Sequence, residues 1–171
     1  MPSSRYLVSA MISGVDWTTT KAVAELGAGT GVITRAIEES RLPGSRFYCF
    51  ERDDDMRAEL QRQYRDVELC SDALLLLETL GLDETRGLDC VISGLPFANF
   101  RRPVRDTLLK DIYASLNPGG VFLAFQYSRV LQPWLVSVYG ELESQRVWAN
   151  IPPAFVYLCR KEMGELRETV L

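Results

Sequence analysis

The 171-residue sequence contains no histidine. That absence removes Ser-His triads, His-ligated metals and His general bases, the commonest devices of hydrolytic and metal-assisted chemistry. It also lacks any apolar run approaching the roughly 20 residues a bilayer-spanning helix requires. The longest apolar stretches, such as Val121 to Phe125, are short and rich in β-formers. Positive charge is not in excess: 19 Lys and Arg against 23 Asp and Glu leave a net charge of −4. Nucleic-acid phosphates call for a basic footprint, so the balance argues against such a partner. Cysteine is sparse. Cys49, Cys70, Cys90 and Cys159 each fall at or beside a predicted strand, and none stands in a CxxC or metal-like spacing. They read as reduced, buried thiols of a cytoplasmic protein, and no metal is expected. No signal-peptide pattern opens the chain either, because Ser9, Ser13 and Gly14 break its apolar stretch. A short helix capped by Ser3 or Ser4 is expected there instead.

What is present is an ordinary globular composition, 47% hydrophobic and 25% charged, in a strict alternation of strand and helix patterns. Strands are expected at Lys21–Leu26, Arg46–Phe50, Val67–Cys70, Leu88–Ser93 and Val121–Tyr127. Helical patterns fill Thr30–Ser40, Asp53–Tyr64, Leu74–Leu80, Pro103–Leu116 and Leu131–Tyr139. Asn117-Pro118-Gly119-Gly120 reads as a turn. Two further strands, Leu142–Ala149 and Ala154–Arg160, follow one another without a helix, and a polar tail follows them. Alternation with helical crossovers implies a parallel sheet, and the final pair implies an antiparallel member. The expected fold is α/β, a Rossmann-like three-layer sandwich with a mostly parallel seven-stranded sheet whose last strand is antiparallel. Residues 1–171 read as one domain, with 1–15 as an N-terminal lid helix.

In such a sheet, ligands bind beyond the carboxyl ends of the strands. The first strand ends in Glu25-Leu26-Gly27-Ala28-Gly29-Thr30-Gly31, a G-x-G-x-G turn that lets a ligand approach the backbone and opens a helix N-terminus towards it. Dinucleotide folds use G-x-G-x-x-G. The shorter spacing disfavours a nicotinamide or flavin, and Glu25 would repel a pyrophosphate but suits an ammonium. Glu51 ends the second strand, where a carboxylate can take both ribose hydroxyls, and Asp72 follows the third, within reach of an adenine amino group. Each feature has a plain alternative: the turn as strand-to-helix packing, the acids as helix caps or solvated carboxylates. Their joint placement at three successive strand ends favours a nucleoside-bearing amino acid.

The order ELGAGTG, FERDDDM, CSDAL, VISGLPF resembles the class I S-adenosylmethionine-dependent methyltransferases over nearly the whole chain. The resemblance implies S-adenosylmethionine as cofactor, S-adenosylhomocysteine as product, and no metal. It also implies Gly27, Gly29 and Gly31, with Ala28 and Thr30, along the methionine and ribose, Glu51 on the ribose, and Asp72 on the adenine. Arg52 and Met56 would flank the ring, with Ser71, Ala73 and Ser93 completing the cofactor set.

The methyl acceptor belongs after the fourth strand, at Ser93-Gly94-Leu95-Pro96-Phe97. Adenine N6-methyltransferases begin this motif with Asn or Asp, and Ser93 followed by Gly94 departs from it. The sequence also shows no extra helical domain of the ribosomal RNA dimethylases, so methylation of RNA, of protein or of a small molecule ranks second. A binding protein that transfers nothing ranks third. Pro2-Ser3-Ser4-Arg5-Tyr6-Leu7, Ser93-Gly94-Leu95-Pro96, Phe125-Gln126-Tyr127-Ser128 and Asn150-Ile151-Pro152-Pro153-Ala154 are similar to stretches of the bacterial phospholipid N-methyltransferases. That likeness implies a phosphatidylethanolamine-like amine acceptor, shaped by Ser93, Leu95 and Tyr127 as catalytic-site residues. Pro96, Phe97, Tyr6 and Arg129 would contact the substrate. That family carries a longer stretch ahead of the Pro-Ser-Ser-Arg segment for membrane contact, whereas this sequence opens at it. A shortened relative, or membrane contact elsewhere, is therefore expected. The loop from Phe97 to Arg105 combines exposed-looking Phe97 and Phe100 with Arg101, Arg102 and Arg105. It suits peripheral contact with an anionic membrane, at the inner face, or else is an ordinary loop with solvated arginines and core phenylalanines.

Overall fold

The computed structural model describes residues 5–81 and 87–164. The expected cap at Ser3 or Ser4 and most of the polar tail lie outside them. The order of elements is α1 (Arg5–Ser13), β1 (Ala22–Leu26), α2 (Val32–Ser40), β2 (Arg46–Phe50), α3 (Asp54–Gln63), β3 (Glu68–Cys70), α4 (Leu76–Leu80), β4 (Leu88–Ser93), α5 (Arg102–Ser115), β5 (Leu116–Gln126), α6 (Gln132–Tyr139), β6 (Leu142–Val147) and β7 (Ala154–Arg160).

All seven strands form one sheet in the order β3-β2-β1-β4-β5-β7-β6. β1 to β5 are parallel, and β7 runs antiparallel between β5 and β6. The fold is the α/β sandwich read from the sequence, its single antiparallel strand being β7. The strand order reverses between β1 and β4, so the crevice at their carboxyl ends is the natural ligand position.

Alternate residues of β1 feed two separate cores. Ala22, Ala24 and Leu26 pack with Leu76, Leu108, Ile112 and Leu135 of α4, α5 and α6. Val23 faces Leu7, Met11, Ile33, Ile37 and Leu60 of α1, α2 and α3. A strand covered on both faces reads as a continuous apolar run, and β1 is buried at every position. Glu25 is its one charged residue.

Several boundaries differ from the sequence reading, two of them with structural consequences. Asn117 to Gly120, read as a turn ahead of β5, lie within that strand, where a bulge shifts the register: Leu116 pairs with Leu88, and pairing with β4 resumes at Val121 with Cys90. Gly119, at φ 78°, makes that bulge, and the Asn117 amide donates to Asp89 Oδ1 at 2.9 Å. Asp53 is the cap of α3 rather than its first residue, with its carboxylate accepting from the amides of Asp55 and Met56 at 3.0 and 2.9 Å. Cys49, Cys90 and Cys159 are buried, Cys70 partly so, and all are free thiols. Burial raises Cys70 to about 11 and Cys159 to about 12, so they stay protonated.

Candidate functional site

The glycine turn occupies the crevice. Gly27 and Ala28 donate their amides to the Phe50 carbonyl at 2.9 and 3.1 Å, which locks the turn to the end of β2. Gly27, Gly29 and Gly31 have φ of 80°, 56° and 85°, a left-handed backbone that side chains disfavour. Their surroundings differ. A Cβ on Gly27 would stand 2.8 Å from Leu95 Cδ2, and one on Gly31 2.5 Å from Leu60 Cδ2, while Gly29 has open space. The middle glycine therefore faces the ligand position, and its neighbours admit packing. A cleft of about 310 Å³ lies there, lined by Gly29, Thr30, Asp55, Met56, Glu59 and Leu60.

Glu51 closes one side. Its Oε2 accepts from the Gly29 amide at 2.6 Å and its Oε1 from the Asp53 amide at 2.8 Å. Four lone-pair sites on a carboxylate leave acceptor capacity on both oxygens. Asp72 ends the next strand, where Oδ1 accepts from the Leu74 amide at 2.9 Å and caps a 3-10 turn, Ala73–Leu75. Asp72 thus performs the capping expected of it as plain structure and Glu51 ties two turns together, while both stand at the ligand crevice. Arg52, Met56 and Ser71 are exposed around them, and Ala73 is half-buried.

Glu25 is 1% exposed and turned towards α2. Its Oε2 accepts from the Thr34 hydroxyl at 2.7 Å, and its Oε1 is buried with no hydrogen-bond partner. Burial above all, then the negative charge of Glu51, raises its pKa from 4.5 to about 7, against the pull of the Thr34 and Cys49 hydrogen bonds. Thr34 escaped the sequence reading because only the packing of α2 on β1 brings it to Glu25. No local pattern announces it.

On the other side of the crevice, Ser93 pairs with Leu26 and Ala124 in the middle of the sheet and is fully buried. Its Oγ accepts from the Leu95 amide at 3.2 Å, and the Gln126 amide donates to the Leu95 carbonyl at 2.8 Å. Leu95 is held from both sides over Gly27. Gln126, buried at the end of β5, was present in the Phe125-Gln126-Tyr127-Ser128 stretch but carried no assigned role. Tyr127 follows it, about half exposed, with its ring 6.0 Å from Phe125. Pro96 is exposed beside Leu95.

Phe97 requires correction. It is 0% exposed and lies in the core, edge-on to Phe100 at 6.0 Å and Phe122 at 6.3 Å. Arg105 is buried too, with its guanidinium 3.3 Å above the Trp134 ring and bonded to Asp106 at 2.8 Å. The loop from Phe97 to Arg105 therefore buries Phe97 and Arg105 and half-buries Phe100, while Arg101 and Arg102 remain exposed, which is the ordinary loop with solvated arginines and core aromatics. A cavity of about 560 Å³ between α5 and α6 is lined by Arg102, Arg105, Asp106 and Trp134 among others and includes no residue of the glycine turn.

Tyr6 and Arg5 begin α1. The Arg5 guanidinium donates to the Tyr6 hydroxyl at 2.9 Å and stands 4.9 Å over its ring. Arg5, Val8 and Ile12 share a groove of about 490 Å³ with Thr30, Gly31 and Arg35, so α1 starts beside the glycine turn. Arg129, beyond β5, stands 5.1 Å from the Phe155 ring. Among the described residues, no group of three His, Cys, Asp or Glu side chains is placed to hold a metal ion.

This geometry agrees with what the chain resembles. It is 29% identical to an ornithine lipid N-methyltransferase of Singulisphaera acidiphila, over 93% of this chain and 85% of that protein. Human methyltransferase-like protein 13, solved in complex with SAH, shares its fold with a TM-score of 0.70 at 19% identity, over 94% of this chain and 83% of that one. PigF, also solved with SAH, gives a TM-score of 0.65 at 15% identity over 92% of this chain, which spans only 55% of PigF. The family described as "Methyltransferase domain" matches residues 24–122, from inside β1 into β5. With the glycine turn, the acids at the ends of β2 and β3 and the β1/β4 crevice all inside that match, the chain belongs to the methyltransferase domain family.

Proposed function

We propose that this methyltransferase uses S-adenosylmethionine and methylates the amine of a lipid head group. The observation that carries the cofactor half is Glu25 Oε1, a buried oxygen without a donor two residues before a glycine turn with open space at Gly29. An orphaned buried acceptor costs about 1–3 kcal/mol, and the ammonium of an amino-acid ligand supplies the missing donor. The remaining donors and acceptors fit the same molecule. Glu51 takes the ribose hydroxyls on its remaining lone pairs, and Asp72 offers the adenine amino group the oxygen that does not cap Leu74. Arg52 and Met56 flank the ring, Ser71 and Ala73 border it, and the backbone of Ala28, Thr30 and Gly31 lines the amino-acid end.

When bound, S-adenosylmethionine carries a methyl group on a sulfonium, and its transfer is an in-line displacement that depends on alignment and dryness. Leu95, fixed through Ser93 and Gln126, excludes water at Gly27. The attacking amine must be neutral, and its proton passes to water. Tyr127 holds the amine as it gains positive charge, by cation–π attraction. Pro96, Tyr6 and Arg129 form the rim that admits the head group, and residues 1–171 act as one domain with 1–15 as the lid. The ornithine lipid N-methyltransferase likeness supports a lipid amine, as do the stretches shared with phospholipid N-methyltransferases.

Labelled methyl transfer to detergent-dispersed ornithine lipid, phosphatidylethanolamine, ribosomal RNA and bulk protein tests the reading. Label in a lipid amine supports it, and label in RNA or protein alone overturns the acceptor.

A further inference from the structure

We propose that the sheet edge around the β6–β7 loop docks on the surface of an anionic bilayer and so presents the lipid amine to the site. The proposal rests on the lipid-amine reading above.

Three observations converge on this edge. The first is exposure: Trp148 is 68% and Ile151 79% exposed, both in the loop joining β6 to β7, and Val130 is 50% exposed after β5. Large apolar side chains grouped in this way mark an interaction surface rather than chance exposure. The second is placement. Gln126 of β5 pairs with Phe155, and Val147 of β6 pairs with Ala154, so the β5–α6 and β6–β7 loops emerge side by side. β6 runs parallel to β5, which puts both loops at the carboxyl edge that holds the glycine turn. β6 is three strand spacings from β4, about 14 Å.

The third is charge. Arg129 and Arg146 stand 5.1 and 5.3 Å from the centre of one ring, that of Phe155, and Arg146 lies 3.7 Å over Trp148. Neither makes an ion pair among the described residues. No acid occurs from Ile112 to Gly140 or from Ser144 to Lys161, in a chain that carries 23 acids against 19 bases overall. Stacking on aromatics leaves a guanidinium's donors free for phosphate. Trp at the head-group level, an aliphatic residue beyond it and arginines facing anionic lipid form the pattern of an interfacial anchor.

Sedimentation with vesicles of phosphatidylcholine, alone or with phosphatidylglycerol, tests the proposal. The wild type should bind the anionic vesicles. Trp148→Glu with Ile151→Glu should bind at least roughly tenfold more weakly, and the milder Trp148→Ala should fall between. Arg129→Ala and Arg146→Ala should each lose roughly fivefold, while Arg62→Ala on α3 should bind as wild type. Because Trp148 and Ile151 are exposed, thermal melting should confirm that the double variant is folded. That variant should lose methylation of vesicle-borne lipid amine but keep it for detergent-dispersed lipid. Equal binding to neutral and anionic vesicles, or wild-type binding by the folded double variant, overturns the proposal. If anionic vesicles are bound through Trp148 but no dispersed lipid amine is methylated, docking stands and the lipid-amine reading fails.

Discussion

The β1–β3 half of the sheet and the β4–β7 half hold the two reactants by different means. In the first half, each proposed contact comes from a strand end and the few residues after it: Gly27 to Gly31, Glu51 and Asp72. Their function depends on left-handed glycines and on carboxylates that bond amides of the turns at the strand ends. Asp72 bonds within its own turn, and Glu51 reaches from the Asp53 amide across to the Gly29 amide of the neighbouring strand's turn. In the second half, the contacts are assembled from afar. Leu95 is held by Ser93 beside it and by Gln126 from the neighbouring strand, and its side chain packs on Gly27. Local chemistry leaves a mark in short stretches of sequence, whereas chemistry assembled by packing does not.

The largest effect that can break this contrast is at Phe97. Deleting a fully buried aromatic ring costs about 3–5 kcal/mol. Phe97→Ala should therefore lower unfolding stability by that order in denaturant titrations, as a core residue must. A loss below 1 kcal/mol with a selective loss of acceptor binding would return Phe97 to the substrate surface.

Next comes Glu25. Its folded pKa of about 7 lies above the ordinary 4.5. The stability it contributes is full below pH 4.5 and is lost as pH rises through 7, a difference of roughly 3 kcal/mol. Glu25→Gln should flatten the fall in stability between those limits. An ammonium beside Oε1 favours the ionised form, so S-adenosylhomocysteine should bind the wild type more tightly as pH rises through 7. The variant should lose that dependence. Wild-type affinity that is flat with pH would remove Glu25 from the ligand's contacts.

Glu51→Ala comes third. Two hydrogen bonds to a carboxylate are at stake, together worth about 3 kcal/mol at the lower end of the range for charged groups. S-adenosylhomocysteine affinity measured by calorimetry should fall on the order of a hundredfold. Retained affinity would show that Glu51 serves only the Gly29 and Asp53 amides. The smallest effect is expected at Tyr127→Ala: about tenfold in kcat/KM for the lipid, with cofactor affinity unchanged. Cation–π attraction of about 1–2 kcal/mol sets that scale.

The fold was legible because period-2 and period-3.6 patterns alternate cleanly and the chain is punctuated at Gly27, Gly44, Gly81 and the Asn117–Gly120 turn. β2, β4 and β7 have the boundaries read from the sequence. The cofactor half of the site was legible because a left-handed turn demands glycine wherever it occurs. The rest was hidden for a physical reason. Phe97 sits in a loop sequence beside arginines, yet a 3-10 turn rolls its ring into the core against Phe122. Arg105 is drawn under Trp134 from the next helix. Trp148 lies in the strand expected at Leu142–Ala149 and Ile151 in a shared stretch, and neither pattern shows their exposure, because exposure is decided by what else packs nearby.

Transfer of labelled methyl from S-adenosylmethionine to a detergent-dispersed lipid amine, in wild type and Glu51→Ala, tests the central claim most directly. The expected result is label in the lipid amine with the wild type and little with the variant. Absence of transfer by the wild type, or label in RNA alone, would contradict it.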